Sequence, residues 1–321
     1  MSRYARQIVL PEVGAEGQDQ LSQARVLVVG AGGLGAPALT YLAGAGVGRL
    51  AVVDPDVVER GNLHRQPLYG EAALGQPKAE AAAARLADLN PEVAVTPVVA
   101  ALDPAIAPGL VTWADVVLDC ADSFAVSYIL SDACRDAGLP LISASALGLG
   151  GYAGGFCGGA PSLRAVFPDL PDRAATCATA GVLGPVVGMI GALQAQMTLA
   201  VLLGLDPSPL GQMVTFEAGR FGGFRFDKAP EPAAGLGFLA SSQIAPGDFV
   251  VDLRGPDEGP LATAGALRLP VEAFGPDGPT PAPGQRAVLC CRSGLRSWRA
   301  ARRLQTVWDG EIQLVALGDP S

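Results

Sequence analysis

The sequence predicts an α/β protein: a doubly wound, mainly parallel sheet covered by helices, followed by a smaller α/β unit. Three observations carry this. Apolar runs of strand length alternate with helical patterns from residue 24 to residue 146, the alternation of a parallel sheet with helices on both faces. A glycine-rich turn joins the first such strand to the helix after it. A segment rich in Pro, Ala and Gly, KAPEPAAGLG, then breaks the pattern, which restarts beyond it.

In order, ARVLVVG reads as a strand and AGGLGAPALTYLAGAG as a turn and helix. RLAVVD (strand), QPKAEAAAARLADLN (helix), VAVTPVVA and ADVVLDCAD (strands), SYILSDACRDAG (helix) and LPLISASA (strand) follow. Residues 148–168 are Gly-rich with aromatics and read as an antiparallel extension, and 169–182 as a loop. A long apolar helix runs from about Leu183 to Leu203, before strands QMVTFEA and GFRFD. These elements make one unit, residues 1–228; 229–240 is a linker. In the second unit, 241–321, DFVVDLR, GALRLP, QRAVLCC and IQLVAL are strands and SWRAARRLQTVW is a helix.

The chain carries 22 basic and 31 acidic residues, a net charge of −9, with no basic run. That disfavours nucleic acid or an anionic membrane as partner. MSRYARQIVL lacks the apolar core of a signal peptide, and the long apolar helix contains Gly, Pro and Gln, as a core helix does. A cytoplasmic protein is expected. The six cysteines form no C-x-x-C pair, so neither a zinc ribbon nor a dithiol redox site is suggested. One histidine, His64, excludes multi-His metal sites.

Gly30, Gly32, Gly33 and Gly35 form G-x-G-G-x-G at the first strand–helix turn. Such glycines let backbone N–H groups approach phosphates at a helix N-terminus. Asp54 ends the next strand, where a carboxylate bonds a ribose hydroxyl. Alone, this fingerprint also fits an NAD dehydrogenase. Asn62, Arg65 and Lys78 follow it; they suit a triphosphate and disfavour NAD. Asp119 and Asp122 lie at the carboxyl end of a central strand, where a carboxylate beside a triphosphate is a natural Mg²⁺ ligand. Helix capping is the bland alternative for that pair.

In order, RYARQIVL, VLVVGAGGLGAPALTYLAGAGVGRLAVVDPD, GNLHRQPLY, GQPKAEAAAARLADLNPEV, VLDCADS and TCATAGVLGPVVGMIGALQA resemble the MoeB/ThiF family, bacterial relatives of ubiquitin-activating enzymes. The resemblance covers about residues 1–226. It implies a Rossmann-like sheet, use of ATP with Mg²⁺, and adenylation of the C-terminal Gly-Gly carboxylate of a small ubiquitin-like sulfur carrier. Gly33, Asp54, Asn62, Arg65 and Lys78 match the family's ATP-contacting positions. Asp122 matches its Mg²⁺- and nucleotide-associated aspartate, and Arg6 the arginine that reaches the partner's triphosphate in a homodimer. Cys177 matches the crossover-loop cysteine that bonds the activated carrier. Ser123 stands where many members have Asn, which implies a small change in nucleotide contacts. Many members bind structural zinc with two C-x-x-C pairs. Here Ser162 and Ala165 stand at the first pair's positions, and DKAPEPAAG has no cysteine for the second. Zinc is not expected, and packing must hold that lobe.

CRSGLRS, residues 291–297, resembles the active loop of rhodanese-like sulfurtransferases, supported by VVDLR and AGALRLP upstream. Cys291 then carries a persulfide, within a nest of backbone N–H groups flanked by Arg292 and Arg296 around Gly294. The unit lacks the family's His-Ile-Pro segment and its closing glycine pair and tryptophan. Cys290 is expected on the opposite face, in the core, and Cys120, Cys134 and Cys157 as structural residues. Together the halves imply activation of a carrier, then sulfur transfer to a thiocarboxylate, with a cysteine desulfurase as the kind of sulfur donor. The order in which Cys177 and Cys291 attack stays open. Alternatives are a ligase acting on a non-sulfur carboxylate, and an inactive carrier-binding scaffold.

Overall fold

Alternating apolar runs become the strands of one large sheet in the computed structural model, which describes residues 3–170, 180–232 and 235–318. Two helices, α1 (Ala5–Ile8) and α2 (Gly14–Gln23), lead into β1 (Arg25–Val29), α3 (Gly35–Gly44) and β2 (Arg49–Val53). Then come α4 (Lys78–Leu89), β3 (Ala94–Val98), α5 (Ala107–Trp113), β4 (Val116–Asp119) and α6 (Phe124–Ala137). Strands β5 (Pro140–Leu147) and β6 (Gly150–Cys157), helices α7 (Leu163–Val166) and α8 (Gly184–Leu202), and strands β7 (Gln212–Glu217) and β8 (Arg220–Arg225) complete the unit.

The sheet order is β3-β2-β1-β4-β5-β6-β7-β8. It is parallel through β5 and antiparallel from β6 onward. Strands β1 and β4, buried on both faces, read as unbroken apolar runs for that reason. The order reverses at β1, between β2 and β4, so the crevice at the carboxyl ends of these strands is the place for a ligand. Val29 pairs with Val53 on one side and Asp119 on the other, which puts Gly30, Asp54 and Cys120 along one edge.

Helix α8 is the one described helix long and apolar enough to cross a membrane. It instead packs on α3, β5 and β6, burying Val187, Ile190, Ala195 and Met197 in their core.

The second unit has a five-stranded parallel sheet. Its elements are β9 (Gly237–Phe238), β10 (Phe249–Asp252), β11 (Leu267–Arg268), β12 (Ala287–Cys291), α9 (Leu295–Leu304) and β13 (Ile312–Ala316), in the sheet order β11-β10-β12-β13-β9. Strand β9 lies inside the stretch read as a linker, yet it pairs with β13. Helix α9 buries Trp298, Ala301 and Leu304 and turns Arg299 and Arg302 to solvent. Its buried face meets α6: Trp298 and Tyr128 pack edge to face with ring centroids 5.9 Å apart. One apolar cluster therefore includes Tyr128 and Ile129 of the first unit and Val251, Leu289 and Trp298 of the second.

Candidate active site

The glycine turn is fixed by steric demand. Gly30 has φ +97°, and a Cβ there would lie 2.6 Å from the Cys120 carbonyl oxygen. A Cβ on Gly35, the first residue of α3, would lie 2.0 Å from the Gly30 carbonyl oxygen. Neither position admits a side chain. The turn thus sets the N-terminus of α3, where an anion is favoured, at the crevice; the N–H groups of Ala36 and Ala38 already donate to the Gly32 and Leu34 carbonyls at 2.9 and 3.3 Å.

Asp54 is buried, and its oxygens accept from the backbone N–H of Ala31 (2.7 Å) and of Asp56 (2.8 Å). It ties the end of β2 to the glycine turn. Burial raises its carboxyl above the ordinary range. Tyr69 adds a second tie, its hydroxyl donating to the Ala31 carbonyl at 2.7 Å. Lys78 lies at the start of α4, its ammonium 2.8 Å from Asp56. Arg65 donates to Asn62 Oδ1 at 2.8 Å and to the Gly61 carbonyl at 3.2 Å. Asn62 and Arg65 are thus held as a pair on the loop after β2. Gln66, next to Arg65, was not singled out from sequence. It is 3% exposed, its Oε1 has no hydrogen-bond partner among the described residues, and its Nε2 lies 3.5 Å from where a Gly32 Cβ would stand. The adjacent Arg in HRQPLY was the available signal.

The two aspartates after β4 separate sharply. Asp119 is fully buried; it accepts from Ser143 Oγ at 2.7 Å and from the Ala121 N–H at 3.2 Å. Burial pushes its carboxyl up to about 6, against the lowering effect of these bonds. It is a core residue under the turn and not a surface ligand. Asp122 is exposed, and Ser123 is the N-cap of α6 without a side-chain capping bond.

Arg6 is exposed on α1. That helix is pinned to the far end of α3, where Gln7 Nε2 donates to the Ala45 carbonyl at 3.0 Å. The ten residues of α3 put about 15 Å between this anchor and the glycine turn. Cys177 lies outside the described residues.

At the carboxyl end of β12 the predicted nest is present. Cys291 Sγ accepts from the N–H of Gly294 at 3.2 Å and of Ser297 at 3.3 Å, and Ser297 Oγ lies 3.4 Å away. Two features differ from expectation. Cys291 is as fully buried as Cys290, in the apolar cluster that residues of both units share. A Cβ on Gly294, whose φ is +87°, would stand 2.9 Å from the Phe238 ring and 3.3 Å from Ala125 Cβ. Arg296 is paired with Glu258, whose carboxyl it holds at about 2, so its charge is shared rather than devoted to the sulfur. Arg292 is exposed. Cys290 packs on the other face with Val250, Val288 and Val315. Cys120, Cys134 and Cys157 are buried, and burial pushes the Cys157 thiol up to about 12.

The lobe that holds zinc in many relatives has the wrong donors here. The backbone N–H and Oγ of Ser162 each donate to a Glu231 oxygen at 2.6 Å. Arg164 forms a two-bond pair with Asp132 (2.7 and 2.8 Å) and donates to the Leu236 carbonyl at 3.1 Å. One hydroxyl and one carboxylate do not make a thiolate or imidazole set, and no group of three or more His, Cys, Asp or Glu gathers among the described residues. Polar bonds, and not packing alone, hold this lobe.

The crevice thus has a glycine turn at a helix N-terminus with the exposed Asp122 just beyond β4, and the second unit a cysteine held by backbone N–H groups. Comparison with known proteins fits the first. Residues 4–235 match the model of the ThiF family. The chain is 52% identical over 226 residues to the adenylyltransferase and sulfurtransferase MOCS3 of Bos taurus, covering 70% of this chain and 50% of that one. It is 44% identical over 220 residues to the SAMP-activating enzyme E1 of Haloferax volcanii, covering 68% of this chain and 82% of that one. It spans about half the length of the mammalian relatives it matches. The fold also matches a crystal structure of E. coli MccB with ATP, with a TM-score of 0.63 at 23% identity over 71% of this chain and 72% of that one. The chain belongs to the ThiF family.

Proposed function

We propose that this chain adenylates the C-terminal Gly-Gly carboxylate of a small ubiquitin-like sulfur carrier and transfers sulfur to it, giving a thiocarboxylate. The observation that carries the reading is the pairing of the cradle formed by the Gly30–Gly35 turn, Arg65, Lys78 and Asp122 with the Cys291 nest. Relatives named as adenylyltransferase and sulfurtransferase support it.

A carboxylate is a poor acyl donor because oxide leaves poorly. Its oxygen attacks the α-phosphorus of ATP, the bond to pyrophosphate breaks, and AMP becomes the leaving group. The chain must hold two anions in line and stabilise charge on the departing pyrophosphate. The α3 N-terminus, Lys78 and Arg65 supply that stabilisation; Asn62 orients Arg65 and Asp54 holds the turn. Asp122, exposed just beyond β4, would hold Mg²⁺, with Ser123 beside it at the start of α6. Bound there, the metal would supply neutralisation of phosphate charge. No histidine is needed.

The terminal sulfur of a Cys291 persulfide then attacks the acyl carbon, and AMP leaves. Cys177 cleaves the resulting acyl disulfide, releasing the thiocarboxylate and a disulfide between the two cysteines for an external thiol to reduce. The nest N–H groups stabilise the anionic sulfur. Arg6, one helix length from its own turn, suits a homodimer in which it reaches the partner's triphosphate. The test is the mass of a Gly-Gly-ending carrier after incubation with the chain, ATP, Mg²⁺ and a sulfur donor, compared with Cys291→Ala.

A further inference from the structure

The proposed reaction has two centres, and the acyl adenylate must meet the sulfur before water does. Their relative placement is set by contacts that the chemistry itself does not require. Ser162 is 1% exposed, and two short bonds fasten it to Glu231, 69 residues away in sequence. Bonds to a carboxylate are among the stronger ones. Arg164, 2% exposed, is held by Asp132 and grips the Leu236 carbonyl. Its guanidinium lies 4.5 Å from the Tyr128 ring centroid, and Tyr128 meets Trp298 of the second unit.

Two residues after Leu236 comes Phe238, which closes on Gly294, and the N–H of Gly294 reaches Cys291 Sγ. The same Gly294 faces Ala125 in the first turn of α6. Ala125 follows Asp122 by three residues, at most about 11 Å of chain. An extended tail of about five residues, at ~3.4 Å each, therefore spans from Asp122 to the nest.

We propose that Glu231 and Arg164 are positioning residues for sulfur delivery: they staple the connecting segment to the first unit, so the Cys291 loop sits on α6 beside the adenylation crevice of its own chain. The sulfur unit is then no swinging arm. The docked contact shields the thiol and opens locally to admit the carrier tail. The functional meaning rests on the reaction proposed above; the docking does not, and it is tested without ATP or carrier.

The experiment is iodoacetamide labelling of the full chain, with Cys290 and Cys291 resolved by tandem mass spectrometry. Cys290 lies in a cluster made by the second unit alone, so its protection reports that unit's folding. Cys291 lies in the cluster that both units share, so it reports the docked contact as well. In Glu231→Ala, Cys291 labelling rises about tenfold, the population change that losing charged hydrogen bonds produces, while Cys290 stays protected. Glu231→Gln, which keeps one acceptor for the Ser162 hydroxyl, falls between. Arg164→Lys, which keeps the charge but loses the fork, also exposes Cys291. Equal rates in wild type and all variants would overturn the proposal, because docking would then not need the staple. A parallel rise at both cysteines would overturn it too, because the bonds would then serve the unit's folding and not its placement. ATP–pyrophosphate exchange on the same samples separates this outcome from failure of the adenylation reading.

Discussion

Asp119→Asn removes a buried charge and nearly nothing else. Asp119 is fully buried, and burial raises its carboxyl from 3.8 to about 6. Side-chain bonds from Ser127 and Ser143 and the Ala121 N–H lower it, and nearby Asp122 raises it. Two pKa units at 1.36 kcal/mol each make about 3 kcal/mol. The sign follows from proton binding. Between about pH 4 and pH 6 the folded chain keeps a proton that the unfolded chain has lost. Stability from this group is therefore fully present below the unfolded value, falls as pH rises to about 6, and is flat above. Asparagine keeps an acceptor for Ala121 and turns the Ser143 hydroxyl from donor to acceptor, at a cost of about 1 kcal/mol. Near pH 4, where mainly that cost remains, the ligand-free variant should melt about 1 °C below the wild type. At pH 7 the net gain of about 2 kcal/mol should raise its melting point roughly 3 °C, since a chain of this size gains about 1.5 °C per kcal/mol. The assay is thermal melting followed by circular dichroism across pH 4–8. A difference independent of pH, or a variant less stable at pH 7, would refute the reasoning.

The contact between units should register as coupling: a double-mutant cycle of Tyr128→Leu and Trp298→Leu in denaturant should give about 0.5–1.5 kcal/mol. Additivity within error would mean that the rings do not meet in solution. Asp122→Ala should lower carrier-dependent ATP–pyrophosphate exchange at least 100-fold, as loss of a transition-state electrostatic contact does, with an unchanged melting curve because the side chain is exposed. Exchange within a few-fold of wild type would remove Asp122 from the site.

Sequence patterning located most of the first unit because its signals are local. Strand β1, the glycine turn and α3 follow one another along the chain, and steric demand at Gly30 and Gly35 leaves little choice of residue. The Asn62–Arg65 pair, proposed to face phosphate, is legible for the same reason: the two are three apart and bonded to each other. What stayed hidden depends on pairs distant in sequence. Glu231 sits in a stretch whose Pro and Ala content reads as a tether, and only the fold brings it to Ser162. Asp119 and Asp122 carry identical side chains three residues apart, and periodicity does not say which one the sheet buries. Cys291 read as a reactive thiol from its loop; its burial in the cluster that both units share is announced by no local motif.

The central claim is that one chain both activates a carrier's carboxyl terminus and delivers its sulfur from Cys291. The most direct measurement is the intact mass of a Gly-Gly-ending ubiquitin-like carrier incubated with the chain, ATP, Mg²⁺, a persulfide donor and a thiol reductant, with no other sulfurtransferase present. The account predicts a carrier heavier by the replacement of one oxygen by sulfur, and no such gain with Cys291→Ala, although that variant still forms the acyl adenylate because the residue contributes nothing to the phosphate cradle. A carrier that gains sulfur equally with Cys291→Ala would contradict it.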